Sequence, residues 1–276
     1  MKPFLQTKDF SVSGEAFELM HNEEMDMLVT HPRPENLAPY YQSDSYISHT
    51  DSSKTLIEKM YQTVKRFSLW SKTQLINKYA RGNKTLLDFG AGTGDFLIAA
   101  KNRGWFVEGV EPNRDARWRS REKRMELCRS VDGLSRNKFQ VITLWHVLEH
   151  LPDLEDQVRQ LKQLLEDDGT LIIALPNFRS FDAEHYKEFW AAYDVPRHLW
   201  HFSRTAIDKL SAKHSMKVIK IKPMIFDAFY VSLLSEKYKS GKSSFIKAFF
   251  IGFISNFKGW LTQEHSSIIY VLQKAE

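Results

Sequence analysis

Residues 86–94 read LLDFGAGTG, an apolar run that ends in glycines with the spacing G-x-G-x-G. The run before the first glycine is typical of a buried strand, and residues 95–103 have helical character. Glycines at such a strand end allow a tight turn and a close approach of the backbone to a ligand, beside the exposed amides of a helix N-terminus. The segment therefore predicts a cofactor site within a strand–loop–helix unit.

The carboxylates around this loop indicate the kind of ligand. Asp88 precedes the loop, and Asp95 stands where the dinucleotide fingerprint has a third glycine or an alanine. A carboxylate at these places disfavours a diphosphate and favours a ligand with an amino acid end. Glu111 ends the next predicted strand, where a carboxylate can accept both hydroxyls of a ribose. Taken singly, an ordinary strand–helix turn and a helix-capping Glu111 remain the structural alternatives.

Short apolar runs alternate with helical patterns along the rest of the core. Strands are predicted at residues 85–89, 106–110, 139–144 and 171–175, and helices at 95–103, 158–165 and from about His146. Residues 216–221 and 267–272 are further candidate strands, separated by an apolar helical insert at about 226–262. This alternation predicts an α/β fold, a Rossmann-like, doubly wound and mostly parallel sheet with an N-terminal extension.

The first third of the chain has a different pattern. Prolines at 32, 34 and 39 predict an irregular segment over residues 1 to about 50, and apolar positions at helical spacing predict one or two helices between Ser52 and Tyr79. We therefore expect an N-terminal extension, residues 1–80, that covers the active site, and a core domain at residues 81–276.

Composition excludes several classes of protein. The net charge of +5 is modest, and the densest basic run, residues 114–129, is interrupted by Glu122 and Glu126, so we predict a solvated helix face and no nucleic-acid partner. The single cysteine, Cys128, excludes an intrachain disulfide and a multi-cysteine zinc site. With no signal-peptide pattern at residues 1–10 and no apolar run of the ~20 residues that a membrane span needs, a cytoplasmic location is expected.

These motifs resemble the class I S-adenosylmethionine-dependent methyltransferases, and among them the group that includes ubiquinone-type O-methyltransferases and bacterial small-molecule methyltransferases. Residues 87–94 resemble their first motif, 110–112 their ribose-binding acidic turn, and 139–150 (FQVITLWHVLEH) their fourth strand and the loop after it. Residues 165–173 are similar to the following helix, turn and fifth strand. The resemblance is strong over residues 86–177 and weaker over 40–49 and 196–203.

The resemblance implies S-adenosylmethionine as the cofactor, S-adenosylhomocysteine as the product, and a set of cofactor-binding residues. That set consists of Asp88, Phe89, Gly90, Ala91, Gly92 and Gly94 in the loop, Glu111 and Pro112 at the ribose, Ser130, Val131 and Asp132 around the adenine, and Trp145 and His146 beside the fourth strand. The function it implies is methylation, mainly on oxygen, of a small-molecule acceptor such as a sugar, a quinone-like or a lipid-like metabolite.

Methyl transfer from a sulfonium is an in-line displacement, in which the protein mainly positions the nucleophile. A hydroxyl acceptor also benefits from a general base, and the candidates are His198, His146 and His150. On a helix, His146, Glu149 and His150 would share one face, an arrangement that can bind a divalent metal; we predict no metal, because local hydrogen bonds explain the spacing as well and His146 replaces the first carboxylate of the Glu-x-x-Glu-His pattern of some relatives.

A second polar cluster, residues 194–203, follows the fifth strand and contains Arg197, His198 and His201. Loops beyond the carboxyl ends of parallel strands line ligand pockets, so these residues are expected near the acceptor. The alternative is a loop that closes the sheet, with Ser203 beginning the next helix.

The apolar insert has three open interpretations: a lid over the site, a dimer surface, or an interfacial membrane helix with peripheral contact through residues 244–260. The oligomeric state is not predicted. Competing functions are a cofactor-binding protein without catalysis, a methyltransferase acting on macromolecules, and a nicotinamide-dependent oxidoreductase, which Asp95 disfavours.

Overall fold

The computed structural model describes residues 1–41, 56–242 and 244–275, and side chains of the first helix from residue 62 onward. The weaker resemblance at residues 40–49 therefore lies almost wholly outside the described residues. The strands are β1 (Lys2–Lys8), β2 (Ala16–Asn22), β3 (Met27–His31), β4 (Thr85–Phe89), β5 (Phe106–Val110), β6 (Phe139–Trp145), β7 (Leu165–Pro176), β8 (Trp200–His201), β9 (Met216–Pro223) and β10 (Ser267–Lys274). The helices are α1 (Leu56–Lys78), α2 (Asp95–Lys101), α3 (Arg114–Glu122), α4 (Leu154–Leu164), α5 (Phe181–Tyr186), α6 (Arg204–Lys213), α7 (Ile225–Ser240) and α8 (Phe245–Thr262).

The central sheet has six strands in the order β5-β4-β6-β7-β10-β9. The four strands β5, β4, β6 and β7 are parallel, whereas β10 is antiparallel to both of its neighbours. The order reverses at β4, so the loops after β4 and β6 open side by side at one edge, the place where such sheets bind ligands. This architecture confirms the predicted α/β class and the two strands predicted near the C-terminus.

Successive residues of the central strands face two separate cores. Leu87, Ile142 and Ile173 pack in one cluster with α4 and α6. Their neighbours Leu86 and Ile172 pack in the other, with α1 and α2. Because side chains alternate across a strand, continuous apolar runs are what a sheet covered on both faces requires.

The prolines predicted an irregular N-terminal segment, and this prediction is wrong. Strands β1, β2 and β3 form an antiparallel sheet, and β8 from the second half of the chain pairs with β3. Phe17, Leu19 and Leu28 are buried against residues 178–195 and α7. Prolines 32, 34 and 39 follow β3, which ends at His31, so they lie beyond the end of this strand. The division of the chain at residue 80 stays a prediction.

Two boundaries in the core also differ from expectation. No α-helix begins near His146; β6 is followed by a short 3₁₀ turn, Leu148–His150. Strand β7 begins at Leu165, ahead of the predicted turn, because Leu165 pairs with Phe139 while Thr170 pairs with Val141, so that the residues between them form a bulge.

The insert between β9 and β10 consists of α7 and α8, which pack against each other. Among the described residues, no helix has both the length and the apolar composition to cross a bilayer.

Arg197 joins the N-terminal sheet to the core. Its side chain is buried, and its guanidinium donates to Asp194, to Asp9, to Ser11 and to the carbonyl of Tyr40. Burial opposes ionisation of Asp9, but the amide of Ser13 and the guanidinium of Arg197 hold the pKa of that carboxyl at about 2. A buried guanidinium is tolerated only when its N–H groups are bonded, so both halves of the structure are needed at this point.

Substitution of Arg197 tests this junction. Arg197→Met roughly keeps the volume of the side chain but leaves the buried Asp9 and the partly buried Asp194 without a cation, so we expect a loss of about 3–5 kcal/mol in the free energy of unfolding. Arg121→Met removes an exposed ion pair with Glu126 and should cost at most about 1 kcal/mol. Urea denaturation of both variants measures the difference; equal losses would contradict the role given to Arg197.

Candidate functional site

The glycine loop is tied to the end of the neighbouring strand. The amides of Gly90 and Ala91 both donate to the carbonyl of Val110, at 2.7 and 3.0 Å. Gly90 and Gly92 have positive φ, of 78° and 53°. A Cβ on Gly90 would lie 2.4 Å from Val147, whereas a Cβ on Gly92 would meet nothing within 4 Å. The loop thus packs tightly on one side and leaves open space over Gly92 on the other.

Glu111 faces this open space from the end of β5. One oxygen of its buried carboxylate accepts from the amide of Gly92 and the other from the amide of Asn113, both at 2.8 Å. Asn113, and not Glu111, caps α3. The helix-cap interpretation of Glu111 is therefore wrong, and its carboxylate is held beside the loop with lone pairs to spare.

Asp88 is buried just before the loop, and the partly buried Lys72 of α1 interacts with its charge. Burial raises the pKa of Asp88 to about 7, although a 2.6 Å hydrogen bond from Thr143 and the charge of Lys72 oppose the rise. Lys72 projects from α1, with Nζ 4.3 Å from the ring centre of Trp145. Burial lowers the pKa of Lys72, while Asp88 and Asp227 act against that shift.

His146 follows Trp145 at the end of β6 and has a left-handed backbone, with φ of 58°. Its Nε2 lies 2.9 Å from Asp227 on α7, and its Nδ1 lies 3.5 Å from Glu149. Burial disfavours the imidazolium, but these two carboxylates outweigh burial and raise the pKa of His146 well above its usual range. His146 is therefore a proton donor at neutral pH.

His150 and His198 present the opposite character. Nδ1 of His198 lies 2.9 Å from the carbonyl of Ala192, and Nδ1 of His150 lies 3.0 Å from the carbonyl of Arg197. A carbonyl only accepts, so each Nδ1 carries a hydrogen, and the neutral form of each imidazole has its lone pair on Nε2. Burial and the neighbouring His198 lower the pKa of His150 to about 4. The rings meet edge to face at 4.5 Å.

Glu149 stands between these imidazoles. It is 1% exposed, and neither carboxylate oxygen has a hydrogen bond from any described residue. Burial would raise its pKa, but His146 and the two other histidines hold that pKa below its ordinary value. Ligand atoms of Glu149, His150 and His198 all lie within 4.8 Å of one another. Two imidazole lone pairs and one carboxylate can accept a proton, and they also suit a transition-metal ion or Zn²⁺.

Tyr41 lies beside this cluster. Its hydroxyl lies 3.3 Å from Nδ1 of His150. Burial raises the pKa of Tyr41 to about 12, and the charges of both Glu149 and Glu111 contribute to the rise. Because Gly90 packs on Val147, two residues before Glu149, and Gly92 bonds Glu111, the glycine loop, Glu111 and the group formed by Glu149, His150 and His198 belong to one region.

The other predicted residues are placed as follows. The side chain of Phe89 packs in the core beside α4 and α6, and that of Ala91 in the core beside α1 and α2. Gly94 is the N-cap of α2 and has φ of 75°. Pro112 is exposed. Ser130, Val131 and Asp132 form a turn close to β5, because the amide of Glu111 donates to the carbonyl of Cys128 at 2.9 Å. None of these placements tests a contact with a cofactor.

Two residues of the second cluster are structural. Arg197 is enclosed in the ionic junction described above, and His201 is buried with Nε2 3.0 Å from the hydroxyl of Thr30. Neither is open to an acceptor, so the interpretation of a loop that closes the sheet holds for them, and Ser203 does cap α6. Of the three residues Arg197, His198 and His201, only His198 has a ligand atom close to those of Glu149 and His150.

Asp95 does not carry an uncompensated charge. Its carboxylate pairs with Lys65 at 2.9 Å and with Lys123 at 2.7 Å. The argument from charge against a diphosphate at this position therefore loses its force.

Lys72 and Asp227 were missed in the sequence, although both leave a signal. Lys72 stands three residues from Leu69 and Leu75 on the apolar face of α1, and Asp227 interrupts the apolar start of α7. A charge on an otherwise buried face is the feature that marks such residues.

Comparison with known proteins gives a consistent picture. The family model described as a methyltransferase domain matches residues 55–221. A ubiquinone biosynthesis O-methyltransferase of Histophilus somni is 30% identical over 129 residues, covering 41% of this chain and 54% of the relative. An uncharacterized methyltransferase of Geobacillus thermodenitrificans is 29% identical over 111 residues, covering 37% and 52%. The chain spans about half the length of these curated relatives.

Solved structures share the fold at low sequence identity. Magnesium protoporphyrin IX methyltransferase of Synechocystis, crystallised with S-adenosylhomocysteine, has a TM-score of 0.53 at 13% identity, over 82% of this chain and 90% of that chain. A possible histamine N-methyltransferase of Thermotoga maritima has a TM-score of 0.53 at 17% identity, over 78% and 94%.

The free lone pairs of the cluster can be tested with a metal ion. We expect Zn²⁺ near 100 times its dissociation constant to add roughly 2.7 kcal/mol to the stability of the wild-type protein, seen as a rise in melting temperature. Glu149→Gln should lose this rise, because a neutral amide is a poor ligand, while Glu155→Gln on the surface should keep it. A wild-type protein that Zn²⁺ leaves unchanged would show that the three groups do not converge in solution.

Proposed function

This chain belongs to the methyltransferase-domain family, and we propose that it transfers the methyl group of S-adenosylmethionine to an oxygen of a small-molecule acceptor. The match confirms the family predicted from residues 86–177. The observation that carries the proposal is the carboxylate of Glu111, held by the amides of Gly92 and Asn113 beside the open face of the glycine loop.

The cofactor fits this arrangement at both ends. Glu111 would accept the ribose hydroxyls, and the turn at Ser130, Val131 and Asp132, next to β5, would enclose the adenine. At the methionine end, Asp88 would accept from the ammonium and Lys72 would pair with the carboxylate; a bound ammonium would favour the ionised form of Asp88, whose pKa burial raises to about 7.

The histidine cluster would deprotonate the acceptor. Nε2 of His198 has a free lone pair, and Glu149, 4.0 Å away, would stabilise the imidazolium that forms. His150 stays neutral beside it and leaves the proton to His198. His146, which is already protonated, would orient the acceptor or the cofactor as a hydrogen-bond donor rather than serve as the base.

A divalent cation is the second candidate at this cluster, and the unpartnered oxygens of Glu149 favour it. Glu149, His150 and His198 would hold the ion, which would supply a Lewis acid to the acceptor oxygen. In that case the lone pair of His198 would be occupied, so the two roles are mutually exclusive.

An oxygen atom as the acceptor is supported by the names of the relatives, several of which are ubiquinone biosynthesis O-methyltransferases. Sugar, quinone-like and lipid-like acceptors all remain compatible with the site. A cofactor-binding protein without turnover is less consistent with the geometry, because it has no need of an unpartnered carboxylate and two free imidazole nitrogens beside the loop.

Calorimetric titration with S-adenosylhomocysteine tests the cofactor site. Glu111→Ala should weaken binding about 10- to 100-fold, because hydrogen bonds to a charged group contribute about 1.5–3 kcal/mol. Glu111→Gln keeps one acceptor oxygen and should lie between the two. Glu108→Ala on the same strand, which bonds Ser135, should bind like the wild type. Absence of binding by folded, cofactor-free wild-type protein would overturn the proposal.

Turnover of S-adenosylmethionine with a panel of catechols and hydroxylated sugars tests the base. His198→Asn should lower the rate about 100-fold or more while binding of S-adenosylhomocysteine is unchanged, since a positioned base contributes about 10²–10⁴-fold. His185→Asn, an exposed histidine, serves as the control. If EDTA abolished the activity of the wild-type protein, a bound cation, and not His198 as base, would activate the acceptor.

A further inference from the structure

Helix α8 has its polarity reversed. Its buried residues are small or polar, namely Ala248, Gly252, Ser255, Asn256 and Gly259. Its exposed residues are large and apolar; we call them the aromatic face, and they are Phe245, Ile246, Phe249, Phe250, Phe253, Phe257, Trp260 and Leu261, each more than half exposed. A helix that merely covers a core shows the opposite pattern.

The inner side of α8 is well fitted to the protein. A Cβ on Gly252 would lie 2.7 Å from the ring of Phe229 on α7. The amide of Asn256 donates to the carbonyl of Ile225 at 2.9 Å, and the hydroxyl of Ser255 donates to Asp182 at 2.6 Å. Rotation of the helix would break these contacts and set large side chains against the close approach at Gly252, so the outward position of the aromatic face is a property of the fold.

The aromatic face is large for an exposed surface. At 100° per residue, its eight side chains cover an arc of about 160° along all 18 residues of the helix. Phe226 and Tyr230 of α7 are exposed as well. Apolar surface on this scale exceeds the patches of a few hundred Å² that monomeric proteins expose, which marks a binding surface.

The charged residues around the aromatic face indicate what kind of surface it binds. Residues 237–263 contain five lysines, at 237, 239, 242, 247 and 258, and no aspartate or glutamate. All five are exposed, and Lys247 and Lys258 lie just beyond one edge of the aromatic face. Lysines that border an apolar helix face can reach lipid headgroups while their stems lie on the acyl region.

We propose that the aromatic face docks on an anionic lipid bilayer, with α8 lying in the plane of the headgroups. The helix is about 27 Å long and none of the described helices can span the membrane, so docking is peripheral. A second copy of the chain is the weaker occupant, because a two-fold contact sets each patch against itself and would place five lysines against five.

Flotation of the full-length protein with vesicles tests the proposal. We expect binding to vesicles of phosphatidylcholine with phosphatidylglycerol, and binding at least about tenfold weaker to phosphatidylcholine alone or at high salt. The triple variant Ile246→Ser, Phe253→Ser, Phe257→Ser and the double variant Lys242→Glu, Lys247→Glu should each lose at least about tenfold in binding.

Matched controls separate docking from folding and from catalysis. Phe106→Ser and Lys101→Glu change exposed residues of the same types elsewhere, and should bind vesicles like the wild type. All altered side chains are exposed, so melting temperature and S-adenosylhomocysteine binding should be unchanged. Failure of the wild type to bind anionic vesicles would overturn the proposal, as would a concentration-dependent dimer that the triple variant abolishes while vesicle binding persists.

Discussion

A single buried guanidinium determines where the reactive groups of this protein can be. Arg197 can stay inside the protein only if its N–H groups find acceptors, and these come from the first turn of the chain (Asp9 and Ser11), from the carbonyl of Tyr40 and from Asp194. The next residue is His198, whose amide donates to the carbonyl of Asp194 and whose own carbonyl accepts from Thr30. The N-terminal sheet is thus part of the site and not merely a cover for it.

The titratable groups that follow β6 have different pKa values because their neighbours differ. Two carboxylates keep His146 protonated, whereas His150 is kept neutral by burial and by His198, although both follow the same strand. Glu149 lies 3.5 Å from Nδ1 of His146 but accepts no hydrogen bond within the described part of the chain. Leaving a buried charge unsatisfied costs stability, and proteins usually tolerate that cost where a ligand or a reaction uses the group. This is the physical reason to place the chemistry here and not at the other buried polar groups of the chain.

Sequence patterns located the central sheet, because β4 to β7 each contain a short, mostly apolar run and these runs alternate along the chain with helical patterns and glycine turns. They did not reveal the N-terminal sheet, where buried positions such as Thr7 and Thr30 are polar and conceal the alternation. The sequence did locate the glycine loop, since a strand, three glycines and a helix follow one another directly in the chain; its binding of a cofactor stays a prediction. The meeting of His198 with Glu149 was not predicted, since it depends on pairing between β3 and β8 and on a hydrogen bond from Leu199 to the carbonyl of Glu149.

Helix α7 has one side in the site and another at the surface, and this couples the two. Asp227, in its first turn, lies 2.9 Å from His146 and is one of the two carboxylates that keep this imidazole protonated. The adjacent Phe226 is exposed and contacts Phe67 of α1, the helix that also carries Lys72. Separation of Asp227 from His146 would remove one of the two carboxylates that raise the pKa of His146, and that pKa would fall. The charge beside Trp145 therefore depends on the position of a surface helix, a dependence that neither the glycine loop nor the histidine cluster would have alone.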